Sequence, residues 1–232
     1  MLDNLSSLAV LVSCVTRSAQ PEGNTLLHRA RATCDRTQSA RYVLVLGASF
    51  GGPEAMVEFL GRLPSDVPAS LVYVQHIDDY CAETLVQVMA RNTALGVRML
   101  GDGDTLIHGE VGVVPVSSAL QFRPLGKVAM NGDDWRGPFS PSIDQVSIAV
   151  AEVYRERAGL IVFSGMGDDG AAACPRVKGL GGRVWVQAPA SCVCPAMPDS
   201  ALASGCVERV ATPRALADCL LDYHRVPVRC GI

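Results

Sequence analysis

At 232 residues, 49% hydrophobic and only 5% aromatic, the chain is long enough for one sizeable core and suits an α/β protein packed with Val, Leu and Ala. The formal charge of −3, with no basic run and no interleaving of aromatic and basic residues, argues against a nucleic-acid surface.

Residues 1–40 read as an N-terminal segment or linker. Leu8 to Val15 is apolar but short, Asp3 stands where a signal peptide carries positive charge, and no Ala-x-Ala site follows, so no secretory leader is expected. No stretch reaches the ~18 apolar residues of a membrane span, so direct membrane insertion is not expected either. After Arg17 the composition turns to Ser, Gln, Pro, Gly, Thr and Arg, which is linker chemistry.

From Arg41 strands and helices alternate through residue 225, leaving 226–232 as a tail. The apolar run Val43–Leu46 reads as a buried parallel strand that breaks into Gly47-Ala48-Ser49-Phe50-Gly51-Gly52, with a helix over about 53–63. A second buried strand, Leu71–Val74, stops at Gln75-His76. Thr84, Leu85, Val88 and Met89 fall at helical spacing, and Val97–Leu100 is a third strand. Between 105 and 130, Val111–Pro115 is followed by alternation in Leu120–Pro124 and Lys127–Met130 around Gly126, which predicts an antiparallel hairpin added to the parallel sheet.

A helix over about 142–157 leads into the buried strand Gly159–Phe163, which ends in Ser164-Gly165-Met166-Gly167-Asp168-Asp169-Gly170. The next helix tolerates Pro175 because it falls in the first turns. A strand at Arg183–Gln187, a loop over 188–198, a short helix over 199–204, a strand over 207–210 and a closing helix over 213–223 complete the chain. The expected fold is α/β: a doubly wound, mostly parallel sheet with helices on both faces and the added hairpin.

The nine cysteines are odd in number and scattered. No Cys-x-x-Cys occurs and no histidine lies near Cys192 and Cys194, so no metal site is expected and the thiols read as reduced groups of a cytoplasmic protein. No cofactor is expected. Gly-x-Gly-x-x-Gly is not what stands after the first strand, and none of the tyrosines has a lysine four residues on.

In such a sheet, chemistry collects at the carboxyl ends of the strands. Ser49 follows the first strand there, His76 the second, and Asp168 or Asp169 the Gly159–Phe163 strand. Gly-x-Ser-x-Gly at a strand-to-helix bend exposes a hydroxyl and turns main-chain N–H groups toward it. Serine, histidine and aspartate on one edge are the parts of a hydrolytic triad. Histidine is the base that activates serine, and the acid fixes its tautomer. Main-chain amides after Ser49 and along Gly165-Met166-Gly167 are candidate oxyanion donors. Each residue also has a plainer reading: Ser49, Asp168 and Asp169 as helix caps, His76 as a core histidine. The order Ser, His, Asp differs from the Ser, Asp, His of an α/β-hydrolase, and His224, in a polar helix, reads as solvated.

Gly47-Ala48-Ser49-x-Gly51-Gly52-Pro53-Glu54, Val74-Gln75-His76, Pro141-Ser142-Ile143-Asp144, Gly165-Met166-Gly167-x-Asp169-Gly170 and Met197-Pro198 together resemble the catalytic domain of the bacterial chemotaxis protein-glutamate methylesterases, over about Arg41 to Tyr223. The resemblance implies Ser49 as nucleophile, His76 as base, Asp169 rather than Asp168 as the acid, and the main chain at Phe50 and Met166 at the oxyanion. It further implies hydrolysis of γ-glutamyl methyl esters on the signalling helices of a methyl-accepting chemoreceptor, glutamine deamidation as a companion activity, and association with a chemotaxis histidine kinase array. Phe50 replaces the hydroxyl residue usual after the serine, Ile77-Asp78-Asp79-Tyr80 is more acidic than the usual loop, Ala190-Ser191 stands for a Thr-Ser pair, and Pro115-Val116-Ser117 replaces a Pro-Gly-Gly turn. Residues 1–40 are too few for the receiver domain that commonly precedes this domain. A hydrolase of small esters or amides and a turnover-deficient adaptor are the alternatives.

Overall fold

The computed structural model describes residues 41–130 and 132–225. The readings of residues 1–40 as a linker and 226–232 as a tail, and of the His224 side chain as solvated, lie outside what is described.

Strands β1 (Val43–Ala48) and β2 (Ser70–Gln75) are buried at every position, as apolar runs covered on both faces must be. Helix α1 (Gly52–Leu60) connects them. Helix α2 (Ala82–Arg91) then carries the chain to the sheet edge at β3 (Gly96–Met99), and β4 (Glu110–Val113) fills the place between β3 and β2. A two-stranded antiparallel pair, β5 (Leu120–Phe122) and β6 (Val128–Met130), precedes helix α3 (Ile143–Tyr154). The second half runs β7 (Ala158–Val162), α4 (Ala173–Gly179), β8 (Arg183–Gln187), α5 (Ala196–Ala203), β9 (Arg209–Ala211) and α6 (Pro213–Arg225).

The main sheet has the order β3-β4-β2-β1-β7-β8-β9, and every pairing in it is parallel. Side chains alternate across it. Val43, Val45, Val72 and Val74 meet α3, α4 and α5 on one face, through residues such as Val146, Val177 and Met197. Leu44, Leu46, Leu71 and Tyr73 meet α1, α2 and α6 on the other, through Phe59, Leu85 and Leu216. Phe59 packs edge-to-face on Phe163 at 5.4 Å, seating α1 beneath the end of β7.

The doubly wound parallel sheet is the expected one. The antiparallel pair is also present, but as a separate ribbon that extends neither sheet edge; Leu120, Phe122 and Val128 join the core on the α3 face instead. Helix α5 starts three residues ahead of the expected Asp199, with Pro198 inside its first turn, where a missing N–H costs nothing because that group has no intrahelical partner.

The winding sets the site. After β1 the chain leaves over one face of the sheet in α1, and after β7, the neighbour of β1 on its other side, it leaves over the opposite face in α4. The connections that leave the carboxyl ends of β1 and β7 therefore pass to opposite faces and leave a crevice, the position where doubly wound sheets bind their ligands.

Candidate active site

Register brings the first two groups together. Ala48 pairs with Gln75 across β1 and β2, and His76 N–H donates to the Ala48 carbonyl at 3.1 Å, so Ser49 and His76 emerge as the next residues of adjacent strands, about 4.8 Å apart in a parallel ladder. The turn at Ser49 is tied on three sides. Ser49 N–H donates to the Ser164 carbonyl at 3.0 Å, and the Ser49 carbonyl accepts from Gly52 N–H at 2.9 Å and from Gln75 Nε2 at 2.9 Å. Gly51, the residue before α1, has φ +77°, a conformation that side-chain-bearing residues adopt at a cost. Gly165 permits the close approach of β7's loop: a Cβ there would lie 2.1 Å from Met197 Sδ and 2.8 Å from Ser49 Cβ.

Beneath this turn lies a buried polar network. Gln75 accepts from Tyr73 Oη at 2.7 Å and spends both amide hydrogens on the Ser49 and His76 carbonyls. Ser164 Oγ donates to the Phe50 carbonyl at 2.8 Å and accepts from Cys194 N–H at 3.0 Å, while Ser164 N–H donates to Gln187 Oε1 at 2.9 Å. Every donor and acceptor named is matched, the condition under which buried polar groups rigidify a fold instead of weakening it.

His76 Nε2 lies 2.8 Å from Asp169 Oδ2. The acid is 1% exposed, whereas Asp168 is on the surface, so the structure distinguishes two acids that neighbour each other in sequence. Asp169 also sits at the amino end of α3. Its Oδ2 accepts from Ile143 N–H at 2.7 Å and its Oδ1 from Asp144 N–H at 3.0 Å, with Ser142 Oγ at 3.4 Å. Ser142 caps that helix by accepting from Gln145 N–H at 3.3 Å. Burial pushes the Asp169 carboxyl up, but the hydrogen bonds from His76, Asp144 and Ile143 outweigh it and hold the group below the ordinary carboxylate value. It is therefore an anion at neutral pH, oriented by a helix end of favourable sign.

Asp144 repeats the device one helix on. Its Oδ1 accepts from Ala173 N–H, the first residue of α4, at 2.7 Å. Burial and the adjoining Asp169 push its carboxyl up to about 6, against the hydrogen bonds from Ala173 and Gly170. Asp144, Asp168, Asp169, Arg136, Phe139 and Gln145 line an open cleft of about 540 Å³ beside the imidazole.

Two main-chain N–H groups at the crevice, those of Phe50 and Met166, donate to no acceptor among the described residues. Gly165, also a candidate donor on sequence, is not available, since its N–H donates to the Cys194 carbonyl at 3.0 Å. The flanking side chains are exposed and apolar: Phe50 at 37%, Met166 at 59% and Val193 at 60%. No group of three or more His, Cys, Asp or Glu side chains with metal-binding geometry occurs among the described residues.

Residues 44–220 match the CheB methylesterase family. The chain belongs to that family. It is 37% identical over 184 residues to a protein-glutamate methylesterase/protein-glutamine glutaminase of Anaeromyxobacter dehalogenans, an alignment covering 79% of this chain and 54% of the relative. It is 30% identical to the protein-glutamate methylesterase FrzG of Myxococcus xanthus, covering 78% of this chain and 54% of that protein. Among solved structures, the Thermotoga maritima CheB methylesterase catalytic domain superposes with a TM-score of 0.75 at 27% identity, covering 78% of this chain and 98% of that one. The chain thus spans about half the length of the curated relatives it matches.

Within this CheB-type domain, the sequence assigns no role to four side chains that shape the site: Gln75, Ser164, Gln187 and Phe139. The first three are polar residues inside or next to buried strands, a signal that each has a partner; Phe139 sits in an aperiodic loop and carries no such signal.

Proposed function

We propose that this domain is a serine esterase that hydrolyses γ-glutamyl methyl esters on the signalling helices of a chemoreceptor-like partner in the cytoplasm. Ser49 is the nucleophile, His76 the general base and Asp169 the acid that orients it. The observation that carries the reading is the His76–Asp169 contact at 2.8 Å on the strand end next to Ser49. With Nε2–H donating to Asp169, Nδ1 is the bare nitrogen left for the serine proton. Ser49 Oγ attacks the ester carbonyl as its proton passes to His76, and the N–H groups of Phe50 and Met166 donate to the developing oxyanion. Collapse expels methanol, which takes the proton back. Water, deprotonated by the same imidazole, then splits the acyl-enzyme to glutamate and free Ser49.

Glutamine deamidation uses the same steps with ammonia leaving, and the paired names of the relatives favour it as a second activity. Association with a chemotaxis kinase array belongs to the same proposal. No helix among the described residues is long and apolar enough to cross a membrane, which is compatible with the cytoplasmic reading.

The test is methanol release from a methylated receptor fragment by wild type, Ser49→Ala and His76→Ala. Each variant is expected to lose about a thousandfold or more in kcat. Equal release by all three proteins overturns the triad. Turnover of simple esters as efficient as that of the folded receptor fragment favours a small-substrate hydrolase instead.

A further inference from the structure

The imidazole of a triad must keep one orientation, and histidine is poorly equipped to do so unaided. Its last torsion joins a tetrahedral to a planar carbon and has a broad energy profile, so the ring swings readily about the Cβ–Cγ bond. The Asp169 contact fixes one ring nitrogen but acts as a pivot, leaving the tilt of the ring plane open. In this structure the tilt is fixed from the side. The Phe139 ring lies parallel to the His76 ring, with an interplanar angle of 2° and centroids 5.1 Å apart, an offset stack.

Phe139 is itself held. A Cβ built on Gly167 would meet its ring at 3.5 Å, so the Gly167 main chain underlies its edge. The loop that carries it is anchored to α3 by a reciprocal pair: Arg136 N–H donates to Gln145 Oε1 at 3.2 Å, and Gln145 Nε2 donates to the Arg136 carbonyl at 2.7 Å. Upstream, buried Trp135 donates from Nε1 to the Val116 carbonyl at 2.9 Å. Downstream, the loop runs directly into the Ser142 cap and the α3 amides that grip Asp169. One short segment thus delivers both the aromatic face against the base and the amides that hold the base's acid.

We propose that Phe139 is a positioning residue for the reaction: it holds the His76 ring plane in line with Ser49 and shuts water off one imidazole face. This deepens the esterase reading and rests on it. Phe139 acts through His76, the ring against which it stacks. The aromatic face also suits the imidazolium that forms during acyl transfer, because a cation over a ring is attracted by its quadrupole.

The experiment uses the full chain with Phe139→Leu, which keeps an apolar side chain and most of the bulk but removes the flat face, Phe139→Tyr, which keeps the ring, and Ser49→Ala as reference. Each is assayed on a methylated receptor fragment and on p-nitrophenyl acetate, and the His76 ring protons are followed by NMR. Phe139→Leu is expected to lower kcat by about tenfold to a hundredfold on both substrates with KM little changed, the scale of a small misplacement of a catalytic group. Phe139→Tyr is expected to retain wild-type kcat, and the His76 ring signals are expected to move in the leucine variant as the ring current disappears. Wild-type kcat for Phe139→Leu while Ser49→Ala is inactive overturns the positioning role alone. So does a loss confined to KM for the receptor fragment, which makes Phe139 a substrate contact. Turnover by Ser49→Ala overturns the esterase reading and this inference with it.

Discussion

Replacing Asp144 by Asn tests whether burial, aided by the neighbouring Asp169, raises the carboxyl between α3 and α4. The side chain lies beside Asp169 and accepts from Ala173 N–H at 2.7 Å, a bond that an asparagine oxygen can keep. Its carboxyl is moved from an ordinary 3.8 to about 6. At about 1.4 kcal/mol per tenfold change in proton affinity, that displacement corresponds to about 3 kcal/mol. The group is only partly buried, and solvent screening reduces the figure to about 1–2 kcal/mol. The sign follows from the direction: a raised value means that stability is fully present below the ordinary carboxylate value and is lost as pH rises through about 6. Asp169, held low, works the other way and loses its contribution only as pH falls, but it is common to both proteins. Asp144→Asn is therefore expected to match wild type near pH 4 and to exceed it by about 1–2 kcal/mol above pH 7. Urea unfolding from pH 4 to 8 reads the difference. A gap that is constant across the range, or a variant weaker than wild type above pH 7, refutes a carboxyl raised by burial and its acidic neighbour.

Asp169→Asn is expected to lower kcat for methanol release by about four orders of magnitude, because the amide cannot hold His76 in the required tautomer. In the same variant an NH₂ group replaces an oxygen that accepts from the α3 amides, so chemical denaturation should show a loss of about 1–3 kcal/mol. Gly51→Ala forces a side chain into φ +77° and brings its Cβ to 2.5 Å from Val193, which predicts a loss of about 1–2 kcal/mol or more in the unfolding free energy. Wild-type stability there would mean that the turn re-forms with another backbone conformation.

The parallel strands were legible because a strand covered on both faces is written as an unbroken apolar run, which is what Val43–Leu46, Leu71–Val74 and Gly159–Phe163 are. Their carboxyl ends then pointed to Ser49, His76 and the 164–170 bend without reference to any coordinates. The choice between Asp168 and Asp169 was not legible from the residues themselves, since both follow the same bend, and only the resemblance picked Asp169. What separates them is tertiary: the amino end of α3, from a segment more than twenty residues upstream, closes over one and leaves the other in water. The start of α5 was missed because Pro198 reads as a loop residue until its place in a first turn is known. Phe139 was missed because stacking has no sequence period. The engagement of Gly165 N–H was hidden too, since its acceptor, the Cys194 carbonyl, comes from a distant loop.

The imidazole and its carboxylate are 93 positions apart, in the segments that follow the two strands flanking β1 from opposite sides. On the proposed triad, a growing polypeptide completes its hydroxyl and imidazole early and is expected to stay inert until the segment after β7 has emerged and docked. On the same reading, a proteolytic cut that releases the later half is expected to disarm the earlier one, even if the first strands stay paired. Methanol release, if it follows from the proposed triad, then reports on the joining of two portions of the molecule and is expected to fall before helix content does when that joining fails.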